Sequence, residues 1–481
     1  MLFSSITFII LFLPLTLLVY YCCPFIKAKN IILLIASLLF YAWGEPKFVL
    51  VMVCSIILNY DIGLLIGNTF FSVSKRKFSL ALGVSINLLL LFCFKYLGFS
   101  AQILNSILKI VHVPEFQVTV SKIVLPLGIS FYTFQSISYL VDVYRKPELV
   151  QRNILSLGLF ISFFPQLIAG PIVRYHDINM QIRERKHSPE LFTQGIERFI
   201  IGFAKKVLIA NILAEYVDYV LTLPFASVPS IYLLLEVISS LLQLYYDFSG
   251  YSDMAIGMGK MFGFHIMENF NYPLASKSFT EFWRRWHISL TTWFRDYLYI
   301  PLGGSRCGKV RQMVNLVIVY ALIGLWHGAE YHFIIFGLIC GTTLILEKAV
   351  GGKVSSFFDN KGKTVFILKT ILQRVFIFIL IIFEFMLFNL TLKESLVFYS
   401  SLLNFTRAAQ ASVELLLLAN TQFYIFLGCG LIFAFPWWGK LRIPVNIFTS
   451  AVKYTLLIAL LLLSIGRLAV DAYNPFLYFR F

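Results

Sequence analysis

Long apolar runs, separated by short polar and basic segments, recur from one end of the chain to the other. An α-helix needs about 20 predominantly apolar residues to cross a bilayer. The pattern therefore predicts about twelve membrane-spanning helices, with ends defined to within a few residues. The predicted spans are 2–22, 31–43, 48–67, 79–97, 123–143, 196–220, 231–259, 314–329, 332–348, 373–390, 421–436 and 451–470.

The basic segments predict how these spans are oriented, because Lys and Arg concentrate in cytoplasmic loops. Lys27 and Lys29 follow the first apolar run and no basic residue precedes it. This run is therefore interpreted as an uncleaved span with an external N-terminus. Alternating the spans from that end places the other basic clusters in the cytoplasm: 75–77, 145–146, 183–186, 284–311, 353–369 and 440–442.

Residues 154–173 are apolar enough to enter the membrane, yet basic segments flank both ends. A full crossing would place one of those segments outside. Pro165 and Pro171 each interrupt a continuous helix. We expect a re-entrant hairpin here, and since irregular backbone is tolerated at depth only beside protein or water, it should line a cavity.

Composition supports a membrane class. The 481 residues are 59% hydrophobic and 13% charged, with a mean hydropathy of +0.81, whereas soluble domains have about 45–50% apolar and 25% charged residues. The net charge of +16 is explained by cytoplasmic loops and does not require nucleic acid. Without long linkers or repeats, residues 1–481 are predicted to form one integral, all-α, multi-pass membrane domain. The seven cysteines show no metal-ligand spacing, so no metal site is expected.

Residues 280–301 are predicted to form an amphipathic helix at the cytoplasmic boundary. With the turn after it, this segment carries a basic patch that Lys309 and Arg311 complete, and four of its arginines are the candidate donor-binding residues: Arg284, Arg285, Arg295 and Arg306. Such a patch suits a polyanionic ligand such as the phosphates of coenzyme A, because Arg binds phosphate in a bidentate manner. The alternative is that these cations contact anionic lipid or only set the topology.

Two histidines stand out in this apolar chain, His287 after Trp286 and His327 after Trp326. Ionisable groups inside a membrane are costly and mark functional candidates. His327 lies near the end of an apolar helix, beside small residues that leave room for a helix or a substrate. A neutral imidazole there suits general-base work on an alcohol. The alternative for both histidines is a structural hydrogen bond or a helix contact.

Two carboxylates, Asp247 and Asp253, lie in an otherwise apolar span. Buried charges need partners, so each should meet Arg, His or hydroxyl groups. One of them could orient an imidazole, or both could simply hold the helices together. Near the C-terminus, Tyr478 belongs either to an interfacial aromatic anchor or to a tail whose hydroxyl accepts an acyl group.

Taken together, five segments resemble the membrane-bound O-acyltransferase family, specifically its bacterial alginate O-acetylation branch: 126–135, 164–174, 246–257, 269–306 and 325–329. The resemblance implies a helical bundle with a central funnel, His327 as the catalytic residue and His287 as a second signature residue. It implies acetyl-CoA as donor substrate, no bound cofactor, and acetylation of a polysaccharide outside the inner membrane. A separate periplasmic or extracellular SGNH-type acetyltransferase is the implied partner.

Several alternatives stay open. The acceptor could be peptidoglycan or another cell-surface glycan, or the acyl group could be D-alanine transferred to teichoic acid. A glycan-precursor transporter with proton-relay histidines, or a structural scaffold, belongs to other classes. The sequence contains no Walker A or GxSxG motif, which argues against a nucleotide-driven pump and a serine hydrolase.

Overall fold

A computed structural model of the protein describes residues 3–112, 118–120, 123–358, 362–405, 411–437, 444 and 446–470. Helices and loops account for all of these residues, with no β-strand among them. Eight of the helices are long and apolar enough to cross a membrane. The predicted class, an all-α multi-pass membrane protein, is therefore confirmed. The eight are Ile26–Gly44, Val49–Gly67, Val73–Ile110, Ser230–Met261, Lys309–His327, Tyr331–Val350, Ile367–Phe388 and Ile447–Val470.

These eight helices coincide with eight of the predicted spans. Predicted spans 2–22 and 421–436 coincide with two shorter apolar helices, Phe8–Cys22 and Thr421–Phe433. Helix Ile129–Arg145 has 17 residues, and the chain at 196–220 changes from α-helix to a π-helix at Lys205–Ala210. Neither of these two is among the eight, so the count of twelve stays a prediction.

The chain divides into two compact units, and the first comprises residues 1–196 and 255–267. The single domain predicted for 1–481 stays a prediction. The helices that lie wholly in the first unit, in chain order, are α1 (Leu13–Cys22), α2 (Ile26–Gly44), α3 (Val49–Gly67), α4 (Val73–Leu91), α5 (Leu97–Ile110), α6 (Ile129–Arg145), α7 (Ile154–Ser162), α8 (Phe164–Leu167) and α9 (Tyr175–Arg183).

Residues 154–173 form two short helices in this unit rather than one continuous helix. Helix α7 has nine residues and α8 has four, and the N–H of Phe164 donates to Ser37 Oγ at 3.1 Å. The Phe164 ring packs against Phe40 and Phe8, with centroids 5.7 and 6.2 Å away. Such aromatic pairs add about 0.5–1.5 kcal/mol beyond their buried area. Entry of this segment into the membrane as a hairpin stays a prediction.

The second unit comprises residues 197–254 and 268–481. Helices α10 (Pro189–Ala204) and α12 (Ser230–Met261) contribute residues to both units. The other helices of the second unit are α11 (Asn211–Thr222), α13 (Phe279–Arg285), α14 (Ile288–Phe294), α15 (Lys309–His327), α16 (Tyr331–Phe358), α17 (Gly362–Phe385), α18 (Leu392–Leu402), α19 (Val413–Leu418), α20 (Thr421–Phe433) and α21 (Ile447–Val470).

Helices α15 and α16 form a tight hairpin through small residues. A Cβ added at Gly324 would collide with the Phe333 carbonyl, and one added at Gly337 would collide with the Tyr320 carbonyl. Close backbone approach at Gly is a usual way for membrane helices to pack without a hydrophobic driving force. The hairpin fixes the position of His327, which is the last residue of α15. The room expected beside His327 is thus partly filled by a helix.

One stability effect follows from the first unit. His176 in α9 lies 2.8 Å from Asp142 and 3.2 Å from Asp177. Hydrogen bonds, first to Asp142 and then to Asp177, raise the pKa of His176 to about 9. Because the ordinary value is about 6.5, its protonated form stabilises the fold fully below pH 6.5, and this contribution is lost as the pH rises through 9.

We therefore expect His176→Gln to lower the Tm at pH 6, with the gap to the parent protein closing by pH 10. Thermal unfolding in neutral detergent at pH 6, 8 and 10 measures it. His265→Gln, at an exposed histidine of the same unit, is the matched control for the loss of a histidine. A constant gap for His176→Gln would contradict the assigned ion pairs.

Candidate functional site

The chain breaks its helix at Trp286 and His287. The continuous amphipathic helix predicted for 280–301 is wrong at this point, because α13 ends at Arg285 and α14 begins at Ile288. His287 has a left-handed backbone with φ +45°, which is uncommon for a residue other than glycine. The break is stabilised by the Asn269 carbonyl, which accepts from the N–H of Ile288 at 2.9 Å.

The side chain of Asn269 holds the imidazole of His287. Its Oδ1 lies 3.2 Å from His287 Nδ1 and accepts from the backbone N–H of Ser289 at 3.1 Å. A backbone N–H can only donate, so the oxygen of the amide is on this side and His287 Nδ1 must carry the proton. Asn269 Nδ2 donates to Ser252 Oγ in α12 at 3.0 Å. The neutral tautomer of His287 therefore presents Nε2 as an acceptor.

The sequence did not single out Asn269. The nearest signal was its place in the polar turn 268–273 that follows the long apolar helix α12 and precedes the Trp-rich segment. Both Asn269 and His287 are fully buried. Burial, and secondarily the charge that His327 would carry, lower the pKa of His287 well below its usual range. His287 is accordingly a neutral imidazole at physiological pH.

The second unit brings the two histidines together. The ring centroids of His287 and His327 are 6.3 Å apart, and Trp326 lies beside both, at 5.9 and 5.0 Å. His327 is only 4% exposed, and its ring packs edge-on against Phe388 at 5.0 Å. An aromatic wall thus surrounds two imidazoles in a dry environment. Such surroundings strengthen hydrogen bonds to a reacting group.

The two predicted supporting carboxylates are ion-paired in the same unit. Asp247 lies 2.5 Å from Lys206, and both side chains are buried. Asp253 accepts from Arg198 on one oxygen and from Lys205 on the other, each at 2.7 Å. These contacts fit the alternative in which both carboxylates hold helices together, since removal of one partner from a buried pair costs about 3–5 kcal/mol.

A cavity of about 580 Å³ is lined by residues of the same helices that carry or flank the two histidines. Arg284, Arg295 and Lys348 contribute cations to its lining. Its walls also include Ile288, which follows His287 in the chain, and Ile323, one turn before His327 in α15. The remaining lining residues are hydroxyl-bearing, aromatic or aliphatic: Thr280, Trp283, Thr291, Thr292, Tyr299, Leu316, Val319, Tyr320 and Leu344.

The predicted basic patch thus divides in two. Arg284 and Arg295 line this cavity, although Arg295 also pairs with Asp296 at 2.7 Å. Arg285 instead pairs with Glu281 at 2.8 Å and donates to the carbonyl of Asn271 at 3.1 Å. Arg306 is not among the lining residues. Lys348, which does line it, was missed because it follows the long apolar run of α16 and matched no motif. Tyr478 lies outside the described residues.

A glutamate of α16, Glu347, fixes the N-terminus of α13, a helix that contributes to the cavity wall. Glu347, next to Lys348 in α16, accepts from the N–H groups of Phe279 and Thr280 at 2.5 and 2.8 Å. A carboxylate at a helix N-terminus is favoured by the helix dipole. Among the described residues, no group of three His, Cys, Asp or Glu side chains could hold a metal ion.

Comparison with known proteins adds the family. The family model of the membrane-bound O-acyltransferases matches residues 48–390. A probable alginate O-acetylase of Azotobacter vinelandii is 39% identical over 100% of both chains. A peptidoglycan O-acetyltransferase of Helicobacter pylori is 36% identical over 76% of this chain and 73% of its own. A teichoic acid D-alanyltransferase of Bacillus subtilis is 33% identical over 44% and 56%, respectively.

The match spans most of the chain and includes both histidines, the cavity and Asn269. On this evidence the chain belongs to the membrane-bound O-acyltransferase family and is an acyltransferase.

Proposed function

We propose that this protein transfers acetyl from cytoplasmic acetyl-CoA to an acceptor on the outer side of the bacterial inner membrane, for O-acetylation of an alginate-like polysaccharide. The observation that carries the proposal is the pair of buried imidazoles, together with a cavity that Ile288 and Ile323 line and that has three cations in its lining. The full-length similarity to a probable alginate O-acetylase supports the choice of acyl group and polysaccharide. A separate SGNH-type acetyltransferase would pass the acetyl group to the polymer.

In this mechanism the cavity binds the donor. Arg284, Arg295 and Lys348 contact the phosphates of coenzyme A, because guanidinium and ammonium groups are the usual phosphate ligands. The apolar walls at Ile288 and Ile323 then receive the pantetheine arm, whose thioester approaches the histidines. The polyanionic part of the donor stays at the cation-lined end, which avoids the high cost of moving charge into hydrocarbon.

His327 acts as the general base. It takes the proton from the acceptor hydroxyl while the oxygen attacks the thioester carbon, the carbon–sulfur bond breaks, and the proton passes to the leaving thiolate, which departs as free coenzyme A. His287 serves as a positioning residue. Since its Nδ1–H is used by Asn269, its Nε2 accepts a hydrogen bond and can orient the acceptor hydroxyl or the imidazole of His327. It does not donate to the carbonyl oxygen.

The immediate acceptor is either the hydroxyl of Tyr478 or a hydroxyl of the partner. The runner-up function is peptidoglycan O-acetylation, supported by the relative that matches 76% of this chain. D-alanyl transfer has less support, because that alignment covers 44% of the chain. Analysis of which glycan carries the acetyl ester in producing cells separates these alternatives.

His327→Ala should lower acetyl transfer by about 10²–10⁴-fold, the usual contribution of a general base. The measurement is release of free coenzyme A from acetyl-CoA, together with ester formation, in inverted membrane vesicles of producing cells. His332→Ala, a histidine of α16 beside Glu330, is the matched control and should keep activity. Unchanged coenzyme A release by His327→Ala would overturn the catalytic role. If the parent protein releases no coenzyme A, the transporter alternative is favoured.

Asn269→Asp tests how His287 is held. A buried carboxylate beside Nδ1 would favour the charged imidazolium and raise the pKa of His287. Because the mechanism needs a neutral His287, the acid limb of the pH–rate profile should move to higher pH, with activity recovering in alkaline buffer. Asn315→Asp, at a buried asparagine in α15, is the control and should leave the acid limb in place. Equal loss at every pH would indicate a purely structural role.

Arg284→Gln and Lys348→Gln should each raise the KM for acetyl-CoA by about tenfold, the effect of losing one charged hydrogen bond. Neither should change the KM for S-acetyl-N-acetylcysteamine, a donor without phosphates. Arg285→Gln is the matched control, because Arg285 pairs with Glu281 outside the cavity. Equal effects on both donors would show that the cations do not bind phosphate.

A further inference from the structure

A second cavity, of about 770 Å³, lies in the first unit. Its lining comes from the end of α3, the loop 147–153 before α7, and the end of α9. The lining residues are mostly polar or basic: Gly67, Thr69, Pro147, Glu148, Val150, Gln151, Arg152, Asn153 and Arg183. The volume falls within the range of small-ligand sites. The proposed reaction does not use this cavity.

The cavity is electropositive. Arg152 and Arg183 are exposed, and within the described residues neither side chain has an ion pair. Glu148 is the single carboxylate among the lining residues that the structure describes. Asn153 caps the N-terminus of α7, where its Oδ1 accepts from the N–H groups of Leu155 and Ser156. The positive end of the α7 dipole adds to the field of the two arginines.

Exposed apolar residues follow two of the lining residues, Thr69 and Asn153, in the chain. Phe70 follows Thr69 and is 97% exposed, and Leu155 in the first turn of α7 is 45% exposed. Val73, the first residue of α4, and Ile154, the first residue of α7, are also exposed and apolar. Exposed aromatic residues and exposed basic residues are both typical of the headgroup level of a bilayer. The basic segments around the loops, 75–77 and 145–146, place this level on the cytoplasmic side by the usual charge rule.

We infer that this cavity binds the phosphate headgroup of an anionic phospholipid of the cytoplasmic leaflet. Arg152 and Arg183 would contact the phosphodiester, the polar loop 151–153 would contact the glycerol hydroxyls, and Phe70 with Leu155 would lie against the first acyl methylenes. A soluble phosphate shares the first of these contacts but not the last, which is why the exposed apolar residues after Thr69 and Asn153 favour a lipid. Basic pockets on the cytoplasmic side of membrane helices commonly bind such headgroups.

The test is a titration of the full chain in neutral detergent, with the Tm measured at each ligand concentration. The ligands are dihexanoyl-phosphatidylglycerol, dihexanoyl-phosphatidylcholine and inorganic phosphate. The phosphatidylglycerol should raise the Tm at concentrations at which the other two have little effect. Each of Arg152→Gln and Arg183→Gln should weaken binding and raise the half-saturating concentration by about fivefold, which corresponds to roughly 1 kcal/mol per basic residue. Lys186→Gln, an exposed cation of the same basic segment outside the lining, is the matched control.

Glu148→Gln removes the carboxylate of the lining and should strengthen phosphatidylglycerol binding, a gain that loss of folding cannot imitate. Retention of the phosphatidylglycerol response in the Arg152→Gln, Arg183→Gln double variant would overturn the proposal. An equal response to inorganic phosphate would show a soluble-anion site and also overturn it. Acetyl transfer is not the readout, so the outcome is independent of the proposed function.

Discussion

A buried histidine that must stay uncharged needs a neutral partner, and this requirement explains the arrangement around His287. A carboxylate beside the ring would stabilise the imidazolium, whereas the amide of Asn269 fixes the ring and its tautomer without adding charge. The same amide and its backbone carbonyl hold the break between α13 and α14. Ring orientation, tautomer and local backbone thus depend on one residue, Asn269. The carboxylates Asp247 and Asp253 are paired with lysine and arginine.

The long helices could be predicted from the sequence because a hydrophobic run of about 20 residues has one stable form in lipid, a helix that satisfies its own backbone. The break at His287 could not be predicted from residues 280–301 alone. The helical spacing of apolar residues continues through it, but Asn269, 18 residues away, supplies the competing hydrogen bonds. The π-helix at Lys205–Ala210 is a similar case, since local pattern does not reveal a change in hydrogen-bond register.

The candidate site also has features that the sequence predicts and features that only the structure shows. His287 and His327 were singled out because ionisable residues are costly in an apolar chain, and the structure brings them together beside Trp326. The sequence predicted the arginine patch only in part. Charge alone does not indicate that Arg284 lines a cavity while its neighbour Arg285 turns to Glu281. Lys348 comes from α16, and the contact between α16 and α13 through Glu347 brings it to the same cavity as Arg284.

The tautomer of His287 gives the two histidines, His287 and His327, different proposed roles. Both rings are buried and 6.3 Å apart, so protonation of one disfavours protonation of the other. A site in which both acted as bases would need two charged imidazoles in a dry space. With His287 fixed as a hydrogen-bond acceptor, one proton at a time is taken up, by His327, and is passed to the departing thiolate. The reaction then requires no net proton exchange with water, which suits a transfer performed inside a membrane.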